Sequence, residues 1–135
     1  MKTILATLAL IAPLLASAAT VEPTPCYNYP ATQVNCVPLV VDGITSANMV
    51  RYSTSAGSFL AITLDNVVYT TLPSAWVTTS VATGPYDANQ NWVGQAYSGA
   101  AVLSFNLNMH TKRGICSGRG CRTPYSYSVL GGSLQ

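Results

Sequence analysis

The clearest pattern in the chain runs from residue 100 to 108. Ala101, Leu103, Phe105 and Leu107 alternate with Val102, Ser104, Asn106 and Asn108. A period of two sends one row toward a core and the other toward water, which predicts a half-buried β-strand. Leu60, Ile62 and Leu64 form a second row, and Tyr125, Tyr127 and Val129 alternate with Ser126 and Ser128 in a third. Apolar and β-branched runs extend the set of predicted strands to 37–41, 49–53, 58–64, 67–72, 76–81, 92–97, 100–108 and 125–130. Turn formers punctuate them: Asp42-Gly43, Gly57, Asp65-Asn66, Pro73-Ser74, Gly84-Pro85 and Gly99. Beyond the N-terminal segment no stretch has the 3.6-residue repeat of an amphipathic helix. The expected fold is all-β, a compact β-sandwich or small β-barrel of about eight short antiparallel strands.

The N-terminus follows different rules. Lys2 precedes an apolar run over 4–15, broken by Thr7 and Pro13, and small residues follow at Ala16-Ser17-Ala18-Ala19. This is the layout of a secretory signal over 1–18, too short to span a bilayer comfortably and without a stop-transfer pattern after it. The expected product is secreted and extracellular, with no transmembrane segment in the mature chain. Residues 19–33, with Pro23 and Pro25, read as an extended lead-in because proline disfavours regular strand pairing. Residues 34–135 read as a single β domain.

Secretion changes the reading of the cysteines. Cys26, Cys36, Cys116 and Cys121 are an even set, which in an exported chain predicts two disulfides stapling the fold. Local pairing joins Cys26 to Cys36 and Cys116 to Cys121. Crossed pairing would stabilise more by loop-closure entropy, nearly 5 kcal/mol against roughly 2 for the shortest loop. Local pairing is favoured because Ser117-Gly118-Arg119-Gly120 suits a tight connection. The cysteine spacing does not fit a zinc site, and the chain has one histidine, so no metal is expected.

Charged residues make up only 7 % of the chain, against about 25 % in ordinary soluble domains. Few groups are left for catalysis: His110, Glu22, Asp42, Asp65 and Asp87. Asp42 and Asp65 occupy turn positions, where aspartate has a structural use. No Gly-x-Ser-x-Gly elbow is present. A small hydrolase would have to use His110 as its base, with nothing in the sequence to orient it. The chain is therefore expected not to be an enzyme, and no cofactor is implied.

Two segments are candidates for binding. Asp87, Asn89 and Asn91 have the first spacings of a calcium loop, but Trp92 stands where glycine belongs and Ser98 where glutamate belongs. Asp87, Asn89, Asn91 and Trp92 instead suggest a ligand loop, whose amides would hydrogen-bond a sugar while the indole stacks on it. Trp76 is expected in or against the core. The second segment is basic. Lys112, Arg113, Arg119 and Arg122 lie beyond the last acidic residue, Asp87, and Arg51 is the one other cation outside the signal. A cationic loop closed by Cys116–Cys121 would attract an anionic surface. The expected partners are a host protein, a polysaccharide or an anionic surface; no nucleic acid is expected. Lys112-Arg113 also matches the dibasic site of kexin-type proteases.

The signal over 1–18, the four-cysteine domain, the scarcity of catalytic residues and the Lys112-Arg113 pair together resemble small secreted fungal proteins of the effector and killer-toxin kind. The resemblance is one of layout and transfers no functional residue. It implies a secreted, non-enzymatic, effector-like virulence or interaction factor that binds a host or competitor component, with the basic loop as the expected contact. The alternatives are a carbohydrate- or cell-wall-binding module and a membrane-active killer-type toxin.

Overall fold

The computed structural model describes residues 18–28, 33–113 and 125–135. Cys116, Cys121, Arg119, Arg122 and all of the expected signal except Ala18 lie outside them. The fold is all-β, as the period of two predicts. Its strands are β1 (Ala19–Val21), β2 (Thr24–Pro25), β3 (Gln33–Cys36), β4 (Ala47–Thr54), β5 (Gly57–Leu64), β6 (Val67–Thr70), β7 (Val77–Ala82), β8 (Asp87–Ser98), β9 (Ala101–Arg113) and β10 (Tyr125–Leu134). All belong to one antiparallel sheet, in the order β1-β10-β9-β8-β6-β5-β4-β3, with β2 also on β10 and β7 also on β8. Among the described residues, no helix is long and apolar enough to cross a membrane.

Local chemistry sets the hairpins. Asp65 and Asn66 take φ of 46° and 70°, the two left-handed positions that a two-residue hairpin between β5 and β6 requires. Gly99, at φ 58°, turns β8 into β9. The best-patterned strand behaves as expected and runs further. Leu103, Phe105 and Leu107 are buried, and the row continues through Met109 and Thr111. Leu60 and Ile62 of β5 and Val129 of β10 join the same core.

Two expectations need correction. Residues 37–41 do not form a strand; β3 precedes them, and only Val41 makes a bridge, to Val21. Pro38 breaks that run because it has no N–H for a ladder. The polar stretch before Trp92 is not a loop, because β8 starts at Asp87.

The lead-in is extended, and it carries the seam of the sheet. On one side Ala19–Val21 and Thr24–Pro25 pair with β10. On the other, the Glu22 N–H donates to the Val40 carbonyl and the Asp42 N–H to the Thr20 carbonyl, each at 2.9 Å. Tyr27 and Asn35 exchange two backbone bonds of 2.7 Å. The strand ladder thus stays open, but its two ends are stitched together, with Val21, Thr24 and Cys26 buried at the stitch. The Cys26–Cys36 disulfide lies there too, so the first cysteine pair is local and a crossed pairing is excluded. Replacing both cysteines by alanine should lower stability by about 2–3 kcal/mol, the loop-entropy value for a short loop. Denaturant titration of the double variant checks this, because reductant alone would act on every disulfide at once.

Candidate functional site

Along β8 the even positions face inward. Trp92 and Ala96 are buried and Gln90 is half-buried. Gly94 continues that row, and its missing side chain matters: a Cβ there would stand 2.7 Å from the Trp76 Cβ and 2.9 Å from the Phe105 Cζ. Glycine at this position lets Trp76 pack over the sheet. Trp76 follows the Pro73-Ser74 turn, where Ser74 has φ 51°. The turn is fastened to β5, the Ser74 N–H donating to the Ser58 carbonyl at 2.8 Å.

These constraints shape an open cavity of about 260 Å³. Trp92 forms its floor, Trp76 and Tyr127 its aromatic walls, and Arg51 from β4 reaches in among them. Ser58, Ser74, Thr78 and Gln90 complete the lining. The Trp76 and Trp92 rings are 6.3 Å apart at 49°, and Trp92 and Tyr127 are 6.3 Å apart at 55°. The Arg51 Cζ lies 6.0 Å from the centroids of both Trp92 and Tyr127, at the limit of a cation–π contact. The Trp92 Nε1–H donates to Gln90 Oε1 at 2.9 Å. That satisfies the buried indole and leaves the Gln90 amide nitrogen as a donor. Among the described residues no carboxylate lies within ion-pair distance of Arg51; the ion pair found there is His110 with Asp87.

The expected ligand loop is divided by the pleat. Trp92 faces inward, while Asp87, Asn89 and Asn91 belong to the outward row of β8. Asn91 Nδ2 donates to Asn106 Oδ1 at 2.7 Å and to Asn108 Oδ1 at 3.0 Å. These amides therefore bond across strands rather than lying beside the indole. His110 lies on that outward face as well. Its Nδ1 is 3.0 Å from Asn89 Oδ1 and its Nε2 is 3.1 Å from Asp87 Oδ1, so both ring nitrogens are engaged in a clasp between β8 and β9. No group of three or more His, Cys, Asp or Glu is placed to hold a metal among the described residues.

Of the basic segment, Lys112 is exposed on β9, paired with Asp87 on one side and Ser126 on the other. Arg113 ends β9 opposite Tyr125, the first residue of β10. Arg119 and Arg122 lie outside the described residues. The residue missed in the sequence is Arg51. Its signal was its place on the inward row of β4, two residues after buried Met49 and opposite buried Leu60. No protein-family model matches the chain, and no curated protein or solved structure matches it.

Proposed function

We propose that this chain is a secreted, non-enzymatic, effector-like binding protein that recognises carbohydrate through the cavity between Arg51, Trp76, Trp92 and Tyr127. The supporting observation is the pairing of tilted aromatic rings with a rim of hydroxyl and amide groups. A sugar ring has apolar C–H faces and polar edges, and this lining offers a counterpart to both. The volume of about 260 Å³ falls just below the usual ~300 Å³ minimum for a drug-sized ligand, which favours one sugar ring over a long segment of chain. Trp76, half-buried, is the stacking platform, and buried Trp92 supports it.

Trp76→Ala should weaken retention on polysaccharide about tenfold, the scale of one lost aromatic contact. Binding of the unaltered protein should persist in about 1 M salt, where the Debye length shrinks to about 3 Å and charge attraction fades. Full binding by the Trp76→Ala protein would remove this reading. Binding that collapses in salt would favour the second reading, contact through Lys112, Arg113, Arg119 and Arg122, which is motivated by exposed Lys112 at the base of that segment. Reversing the charge of Arg119 and Arg122 tests that alternative directly.

A further inference from the structure

We propose that the cavity selects a sugar bearing a carboxylate, with Arg51 as its anion-binding residue; this deepens the carbohydrate reading and rests on it. Arg51 sits mid-strand in β4, half-buried, with Val34 of β3 and Leu60 of β5 as its ladder neighbours, both buried. Its backbone is thus fixed by strands on both sides. The guanidinium lies 6.0 Å from two ring centroids. The ring faces attract the cation but do not neutralise it.

The acidic residues are elsewhere. Asp87 is held by His110, and Asp65 accepts from the Thr45 hydroxyl at 3.2 Å. Neither they nor Glu22 or Asp42 line the cavity. The cavity therefore carries a cation without an internal counter-ion. A guanidinium presents five N–H donors in a planar fork that matches a carboxylate with two parallel hydrogen bonds, and removal from bulk water strengthens that pairing. Ser58, Ser74, Thr78 and Gln90 supply hydroxyl and amide groups for the remaining polar edges. An aromatic wall for a ring, a fork for an acid and space for about one ring coincide in one place. That combination describes a uronic acid residue.

The test uses the full chain and follows tryptophan fluorescence during titration. The probes are short oligosaccharides of galacturonic, glucuronic and mannuronic acid, each beside its carboxyl-reduced neutral counterpart. At least one acidic form should bind roughly tenfold more tightly than its neutral counterpart, the scale of one charge-assisted contact. Arg51→Gln should abolish that preference, so that acidic and neutral forms bind within about threefold of each other, since it removes both the charge and the fork. Arg51→Lys keeps a charge on a similar stem and loses the fork, so the preference should fall by at least about threefold; this variant decides the matter if Arg51→Gln does not fold. Equal binding of acidic and neutral forms overturns the proposal and leaves the carbohydrate reading standing. Preference that survives both substitutions also overturns it, because the acid is then read by other cations. No binding to any probe overturns both.

Discussion

Trp92→Ala should destabilise the protein by about 3–5 kcal/mol, the range for truncating a large buried aromatic side chain. Trp92 is 2 % exposed. It touches the Trp76 and Tyr127 rings, and its Nε1–H is satisfied by Gln90. The indole separates the apolar core from the open cavity. Its removal joins the void to that cavity, where water can enter beside Gln90 and Arg51. Partial wetting places the expected cost in the lower half of the range. Trp92→Phe keeps a ring and loses the hydrogen bond, and should cost about 1–2 kcal/mol through that bond and the lost volume. Guanidinium unfolding measures both. Folded domains have only about 5–15 kcal/mol in hand, so the alanine variant keeps a much reduced margin of stability. A loss below about 1 kcal/mol would mean that Trp92 is not packed as described.

Gly132→Ala should be nearly as damaging, by about 2–4 kcal/mol, for a different reason. β10 is irregular between Val129 and Gly131, and Gly131 and Gly132 both adopt φ 153°, a region essentially reserved for glycine. A Cβ on Gly132 would collide with the Asn106 carbonyl oxygen and stand 2.9 Å from the Leu107 Cα. Both obstacles are backbone atoms of β9, so neither can yield without disturbing the ladder. Gly131 is the control. Its Cβ would meet only the Val21 carbonyl oxygen, at 3.4 Å, so Gly131→Ala should cost about 1–2 kcal/mol, mainly from its backbone angle. Thermal unfolding should lower the melting temperature by roughly 10 °C or more for Gly132→Ala and clearly less for Gly131→Ala. Equal shifts would contradict the close approach of β10 to β9.

These residues also show what could be read from the sequence. Rows such as Leu103-Phe105-Leu107 identified core strands because period two survives whatever the neighbouring strand is. Asp65-Asn66 marked a turn because Asp and Asn tolerate the left-handed angles that tight turns demand. The reading failed where strand residues were polar. Asp87, Asn89 and Asn91 resemble a loop by composition, yet their side chains bond across the outer face of β8 and β9. His110 looked unoriented because its partners lie 21 and 23 positions away. The cavity was the least legible feature. Trp76 and Trp92 were singled out, but the cavity depends on register: Thr78 opposite Trp92, Arg51 opposite Leu60, and β10 brought back against β9. A lone arginine in a strand is ordinarily an outward residue, and only the row containing Met49 indicated otherwise.

The pairing of Ala19–Val21 with Gly132–Leu134 also sets a timetable for assembly. During synthesis the earliest strand lacks its β10 partner until residues 132–134 exist, whereas its contacts to residues 40–42 are available early. Val21 and Thr24, buried in the finished fold, are covered on their β10 side only when that strand arrives. The meander from β4 to β6 needs only near neighbours and can assemble as it emerges. Closing the seam joins segments from opposite ends of the chain, and contacts so remote in sequence place folding in the slow, millisecond-to-second class of β proteins. The other side of the seam is local in sequence, and the Cys26–Cys36 bond belongs to it. Its partners are ten positions apart, so it can fix a short loop early and hold the waiting strand near the edge it will finally close.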